Sequence, residues 1–330
     1  MMRIAVLGAG RIGKIHAANV AANPRAQLVV VADRVEAAAQ ELAQQHGCEA
    51  TTDPVAAIER SDVDAVVIGT PTDTHISLML RAVNAGKPVF CEKPIDLDIH
   101  KVDAAVAEME RLKARVMIAF NRRFDPSAAA LRRAIDAGEI GDIRQVVLTS
   151  RDLALPSRDY IRSSGGVFRD MIIHDFDMAR WLLREEPVEV FALAGRLVDP
   201  GLTDVDDYDT LMVLMRTASG RQCHINGCRE CVYGYDQRLE VFGSRGMLLN
   251  DNLRPTTLRR YRATETEARE RLLDFFPERY AESYRLELDA FLTALATDGS
   301  MPVTPRDGRQ ALRLADCALE SVQTGRAVAV

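Results

Sequence analysis

The sequence contains no run of Lys and Arg, no apolar stretch approaching the ~18–20 residues of a membrane span, and only six cysteines spread over 330 residues. Each absence excludes a class. With 42 Lys+Arg against 48 Asp+Glu and a net charge of -6, the chain offers no electrostatic footprint for a polyanion. Neither nucleic acid nor a membrane surface is an expected partner, and the ligand is expected to be small. The cysteines (Cys48, Cys91, Cys223, Cys228, Cys231, Cys317) lie in a chain long enough to build large cores, which points to reduced thiols in the cytoplasm rather than a disulfide framework. Met1-Met2-Arg3 leads into Ile4–Leu7 and then glycines, too short a core for a signal peptide. Internal repeats and low-complexity linkers are also absent. What remains is an ordinary globular composition, 47% apolar and 27% charged, at a length that suits two domains.

Over the first 120 residues, short β-branched runs alternate with longer amphipathic segments, the pattern of parallel strands joined by crossover helices. The runs are Ile4–Leu7, Leu28–Ala32, Ala65–Ile68, Val89–Cys91 and Val116–Phe120. Helical composition fills Ile12–Ala22, Val35–Gln45, Ser77–Ala85 and Ile99–Leu112, with Gly86-Lys87-Pro88 as a stop. The fold class expected for residues 1–121 is α/β, a doubly wound parallel sheet. Past Phe120 the rhythm changes. A helix near Pro126–Ala137 precedes Ile143–Ser150, a polar loop runs to Gly166, and a single helix is expected over Phe168–Leu183. Strand-like segments then follow to about Arg260, linked by short Gly and Asp turns, and helices near Glu278–Ala296 and Arg306–Gln323 end the chain. Thr304-Pro305 reads as a cap with Pro in the first turn. Residues 122–330 are therefore expected to form an α+β domain with a large open, mostly antiparallel sheet, its C-terminal helix packing back on the first domain.

Gly8-Ala9-Gly10-Arg11-Ile12-Gly13 follows the first strand and opens the first helix, where glycines allow a tight turn and let the helix N-terminus receive a pyrophosphate. Asp33 ends the second strand twenty residues after Gly13, the place for a carboxylate that accepts hydrogen bonds from an adenosine ribose. Dinucleotide binding on a Rossmann fold is the expectation. A carboxylate at Asp33 disfavours an added 2'-phosphate and so favours NAD; Arg34 either approaches such a phosphate or, as the blander reading, stacks on adenine or is simply solvated. Thr70-Pro71 begins the loop that leaves the third run at the cofactor-facing edge, and His75 either serves that loop or caps the next helix. Glu92-Lys93-Pro94 exits the fourth run at the carboxyl end of a parallel strand, where open α/β sheets bind ligands. An ammonium there can donate to a substrate oxygen and stabilise developing alkoxide charge, and Pro94 offers a cis peptide.

In the second half, Gly165-Gly166 precedes Asp170, His174 and Asp177, which on one continuous helix place carboxylate, imidazole and carboxylate along one face. Metal binding is the competing reading, disfavoured because no further ligand pair is evident; no metal is expected. Cys228-Arg229-Glu230-Cys231 has a zinc-like spacing, but residues three apart on a strand point to opposite faces, so these cysteines are read as structural.

The signals Gly8-x-Gly10-x-x-Gly13, Glu92-Lys93-Pro94 and Gly165-Gly166-x-x-x-Asp170-x-x-x-His174 together resemble the glucose-fructose oxidoreductase/inositol dehydrogenase/rhizopine-catabolism family over essentially the whole chain. Within it, Phe120-Asn121-Arg122-Arg123-Phe124-Asp125, Phe168–Asp177 and Tyr233–Arg238 look like the inositol-oxidising members. The resemblance implies NAD-dependent oxidation of myo-inositol to 2-keto-myo-inositol, and a homotetramer assembled through the open sheets of the second domain, which also binds substrate. It implies His174 as the base that takes the hydroxyl proton and Lys93 as the group that holds and polarises that oxygen. Asp170 binds a neighbouring hydroxyl, orients Lys93 or His174, or does both. A six-hydroxyl substrate needs several convergent polar groups, for which Asn121, Arg122, Asp152, Tyr160 and Tyr235 are the candidates. The loop Leu153-Ala154-Leu155-Pro156 departs from the family's Pro-rich pattern beside this pocket. Another cyclitol or an aldose is the nearest alternative substrate. A non-catalytic nicotinamide-binding regulator is the alternative from another class, and such a protein needs neither Lys93 nor His174.

Overall fold

The computed structural model, which describes residues 1–330, opens with strands buried on both faces: Ile4, Ala5, Val6 and Leu7 are all fully inaccessible. Strands of that kind read as continuous apolar runs rather than as alternation. In chain order the elements are β1 (Met2–Leu7), α1 (Arg11–Ala22), β2 (Ala26–Ala32), α2 (Glu36–His46), β3 (Glu49–Thr51), α3 (Pro54–Glu59), β4 (Ala65–Ile68), α4 (His75–Asn84), β5 (Val89–Glu92), α5 (Ile99–Arg111) and β6 (Val116–Ala119). All pairings are parallel, in the order β3-β2-β1-β4-β5-β6. This is the doubly wound dinucleotide-binding order, with the strand order reversing at β1 and β4. The two elements absent from the sequence expectation are small. β3 is a three-residue edge strand with Glu49 and Ala50 exposed, and α3 is a short helix started by Asp53, whose carboxylate accepts from the amides of Val55 and Ala56.

The chain continues through α6 (Pro126–Asp136), β7 (Ile143–Arg151), α7 (Arg158–Ser164), α8 (Gly166–Asp170), α9 (Ile173–Leu183), β8 (Pro187–Gly195), β9 (Thr210–Thr217), β10 (Gln222–Cys228), β11 (Asp236–Gly243) and β12 (Met247–Asn250). A ribbon of β13 (Arg259–Arg262) and β14 (Glu265–Arg269), then α10 (Phe276–Arg279), α11 (Ala281–Ala296), α12 (Pro305–Thr324) and β15 (Val328–Ala329) complete it. The second sheet has seven strands in the order β12-β11-β7-β10-β9-β8-β15, antiparallel except where β10 runs parallel to β7. Its burial alternates, as a sheet with one covered face requires: in β9, Leu211, Val213 and Met215 are buried while Met212, Leu214 and Arg216 are exposed.

Two compact units result, Met1–Phe124 with Glu282–Leu312 and Asp125–Ala281 with Arg313–Val330. The sequence pattern places a second domain over 122–330 with its C-terminal helix packing back on the first; in the structure Glu282–Leu312, which holds most of α11 and the start of α12, groups with the first unit. Both packing and a backbone hydrogen bond hold it there. Phe291 of α11 is fully buried with its ring 5.6 Å from Phe90 of β5, and the Ile118 amide of β6 donates to the Val303 carbonyl at 3.2 Å. The start of α12 is fixed by a reciprocal cap, in which Thr304 donates its amide and hydroxyl to Asp307 Oδ2 and the Asp307 amide donates to Thr304 Oγ1.

The single helix expected over Phe168–Leu183 is broken. The Ile172 amide donates five residues back to the Val167 carbonyl, α8 ends at Asp170 and α9 starts at Ile173. Such a change of ladder register accommodates the buried run Met171, Ile172 and Ile173 and recurs at functional sites. Asp170 and His174 therefore sit on two short helices, and Asp177 is buried with its carboxylate 3.8 Å from Arg180.

Candidate active site

In the first unit the glycine loop is built by steric necessity. A Cβ on Gly13 would lie 1.9 Å from the Gly8 carbonyl oxygen, and one on Gly8, at φ +102°, would lie 2.5 Å from the Gly69 oxygen. Gly10 differs: a Cβ there meets nothing within 4 Å, so the space over this turn is open at the N-terminus of α1. Arg11 is exposed and Ile12 half-buried at that terminus. Asp33, just past β2, accepts from the Ala9 amide through Oδ2 at 2.7 Å and from the Val35 amide through Oδ1 at 2.8 Å. One carboxylate thus pins the loop to the β2 exit, and its remaining lone pairs suffice for a ribose hydroxyl. Arg34 beside it is exposed.

At the exits of β4 and β5, His75 neither caps α4 nor faces outward. It is 1% exposed and its two ring nitrogens lie 2.9 Å from the Thr70 carbonyl and 2.7 Å from the Pro94 carbonyl. Thr70 is further tied to Thr74 through their hydroxyls at 2.7 Å, and Pro71 is exposed. Glu92 ends β5 buried, with Oε1 2.7 Å from His16 Nε2, a partner that no local sequence signal marks. Lys93 follows, half-buried, and the Lys93–Pro94 peptide is cis. Asn121 and Arg122 occupy a buried turn after β6.

In the second unit a polar cluster surrounds Asp170. The Tyr160 hydroxyl donates to Asp170 Oδ1 at 3.0 Å, and Arg229 Nη2 lies 3.8 Å from Asp170 Oδ2. Burial, then the Asp170 charge, push the Tyr160 hydroxyl above the ordinary phenol range, an effect screened in a side chain that is 49% exposed. Arg229 is 1% exposed and also lies 3.6 Å from Asp207 Oδ2. Both separations exceed hydrogen-bond range, so charge links the guanidinium to the two carboxylates. Asp207 in turn caps α8, accepting from the Val167 amide at 2.8 Å, and a Cβ on Gly166, at φ +80°, would lie 2.6 Å from Asp207 Oδ1. Gly166 is thereby explained, and Gly165 before it, at φ +87°, takes the left-handed conformation that favours glycine. His174 is the second residue of α9 and half-buried; Asp152 follows β7 and bears on Tyr160 through its charge.

Tyr235 is buried with its ring edge-on to Tyr280 at 6.1 Å. Two residues earlier, the Tyr233 hydroxyl donates to Asp236 at 2.7 Å. Burial would raise the Asp236 carboxyl, but hydrogen bonds from Arg238, Tyr233 and Asn252 hold it below its usual range, while burial and Asp236 push Tyr233 up to about 12. Cys228 ends β10 with its sulfur 3.6 Å from the Thr210 hydroxyl, and Cys231 is buried in the following loop. Sequence reasoning missed His16, Asp207 and Arg229.

A parallel sheet in this order, a glycine loop answered by an acidic residue and a separate open-sheet unit carrying polar side chains define a two-unit, Rossmann-type dinucleotide-binding architecture. Residues 2–120 match the oxidoreductase family model with an NAD-binding Rossmann fold, and residues 128–249 match the GFO/IDH/MocA C-terminal domain. The chain belongs to the GFO/IDH/MocA oxidoreductase family. It is 48% identical to an inositol 2-dehydrogenase of Rhizobium meliloti, over 100% of this chain and 99% of that protein. Among solved structures, a myo-inositol dehydrogenase from Corynebacterium glutamicum superposes with a TM-score of 0.97 at 47% identity, covering 100% of this chain and 99% of that one. A scyllo-inositol dehydrogenase from Lactobacillus casei, solved with NAD(H) and scyllo-inositol, gives 0.92 at 30% identity, covering 100% and 99%.

Proposed function

We propose that the chain is an NAD-dependent inositol 2-dehydrogenase that oxidises myo-inositol to 2-keto-myo-inositol. The observation that carries this is 48% identity across its whole length with an inositol 2-dehydrogenase. NAD fits the first unit, because the space above Gly10 takes a pyrophosphate and Asp33 retains capacity for a ribose hydroxyl. Gly8, Gly10, Arg11, Ile12 and Gly13 would hold the pyrophosphate, with Thr70 and Pro71 on the nicotinamide side. When bound, NAD supplies the hydride acceptor. Lys93 holds and polarises the reacting hydroxyl oxygen. His174 takes its proton. Asp170, with Tyr160 already donating to it, accepts from a neighbouring hydroxyl, and Asn121, Arg122 and Asp152 complete the polar lining.

A neutral polyol is held by hydrogen bonds, which agrees with a chain free of basic clusters. The assembly is a cytoplasmic homotetramer formed through the exposed face of the seven-stranded sheet. Leu193, Met212 and Leu214 stand outward on β8 and β9 at 60%, 57% and 53% exposure, with Leu249 at 60% on β12, and grouped exposed apolar side chains of this kind mark interaction surfaces. Light scattering tests this, and a monomer in solution overturns it.

Initial rates of NADH formation with NAD and NADP against myo-inositol, scyllo-inositol and glucose test the activity. The fastest rate is expected with NAD and myo-inositol. No absorbance rise with any inositol sinks the proposal, and a dominant rate with scyllo-inositol reassigns the substrate.

A further inference from the structure

Two buried histidines grip the segment that carries Lys93, one on either side. His16, on α1 directly behind the glycine loop, is 1% exposed and places Nε2 2.7 Å from Oε1 of Glu92, the residue before Lys93. Its ring is fixed by edge-on contacts with Phe90 at 5.2 Å and Tyr284 at 5.9 Å. His75, the first residue of α4, lies 2.7 Å from the carbonyl of Pro94, the residue after Lys93, and 2.9 Å from the Thr70 carbonyl. Buried polar groups of this kind are costly to leave unbonded; His75, with both ring nitrogens facing carbonyl oxygens, donates to one of them as the neutral imidazole and to both as the imidazolium. Neither histidine reaches past Lys93's neighbours. What they control is where Lys93 starts.

We propose that His16 and His75 are positioning residues that lock Lys93 to the two dinucleotide loops, His16 through α1 and the glycine turn, His75 through Thr70. The inference rests on the proposed role of Lys93. It predicts that the loops and the lysine move as one piece, so that a defect in either histidine appears in turnover more than in cofactor affinity.

Four variants test it: His16→Leu, His16→Gln, His75→Leu and His75→Gln. The readouts are kcat and KM, NADH affinity by fluorescence, thermal midpoint, and the rate at which an amine reagent modifies Lys93, followed by peptide mass spectrometry without substrate. The leucine variants are expected to lose about 10- to 100-fold in kcat, as sub-ångström to ångström misplacement does, with NADH affinity changed much less and Lys93 modification altered severalfold. His16→Gln keeps a donor for Glu92 and retains near-wild-type values. His75→Gln reaches one carbonyl of two and falls between. Folded leucine variants with wild-type kcat and Lys93 modification overturn the proposal and leave the histidines as packing residues. Should a leucine variant not fold, His16→Ala or His75→Ala replaces it, and wild-type kcat and Lys93 modification in that folded variant overturn the proposal. Because labelling and NADH titration need no inositol, they report on the clamp even if the proposed substrate is wrong.

Discussion

Gly13 sits so close beneath Gly8 that any Cβ would fall 1.9 Å from the Gly8 carbonyl oxygen, whereas Gly10 between them has nothing within 4 Å of its own missing Cβ. The three glycines of one motif therefore answer different demands. Gly13→Ala forces backbone against backbone, and a loss of about 3 kcal/mol in folding stability is expected from overpacking that cannot be relieved by a side-chain rotation. Gly10→Ala should fold with a wild-type thermal midpoint and lose affinity for NAD by about tenfold, roughly 1.4 kcal/mol. Calorimetry and NADH titration separate the two; equal behaviour of both variants contradicts the steric argument.

Lys93→Met and His174→Gln bear on the chemistry. Positioned proton transfer is worth about 10²- to 10⁴-fold, so kcat with myo-inositol should fall by that range in His174→Gln, and comparably in Lys93→Met, while NADH binds with near-wild-type affinity. Near-wild-type turnover in both variants would falsify the roles given to them.

The doubly wound unit is legible because strands buried on both faces must be apolar throughout, and Ile4–Leu7 and Ala65–Ile68 show this without ambiguity. The ribbon of β13 and β14 is not legible, since it is held by cross-strand charge, Arg259 to Glu267 at 2.9 Å, rather than by an apolar pattern. The break between α8 and α9 carries no Gly or Pro, only three consecutive buried apolar residues. Of the site, the glycines, Asp33, Lys93 and Asp170 stand in motifs. His16 and Arg229 do not, because their partners lie far along the chain; His16 and Glu92 are 76 residues apart. For Arg229 the local signal, a Cys-x-x-Cys spacing, drew attention to the wrong side chains.

Arg229 is the counter-charge for both Asp170 and Asp207, at 3.8 and 3.6 Å, in a position 1% exposed. Arg229→Met leaves two carboxylates without it, and removing one partner of a buried ionic group costs about 3 kcal/mol. The double variant Arg229→Met with Asp207→Asn should recover part of that loss, because the orphaned charge goes with it. Chemical denaturation of the single and double variants measures this coupling; additive losses contradict a shared charge network.

The Asp307 carboxyl gives the sharpest pH signature. Burial pushes it up, but the Arg123 guanidinium at 2.9 Å and the amide and hydroxyl of Thr304 outweigh that and bring it from an ordinary 3.8 down to about 2. A carboxyl depressed on folding contributes stability above its unfolded value and loses it as pH falls through the folded value. The contribution is thus complete above about pH 5 and decays towards pH 2, and the shift corresponds to about 2 kcal/mol. Since the same carboxylate closes the cap of α12, the loss should be felt as weakened docking of that helix start. Asp307→Asn removes the titrating group while keeping its shape. The stability gap between wild type and variant, from urea unfolding at a series of pH values, should be widest near neutrality and shrink by about 2 kcal/mol on acidification. A gap that stays constant between pH 6 and pH 3 would show that Arg123 and Thr304 bind Asp307 by shape alone and that its charge adds nothing.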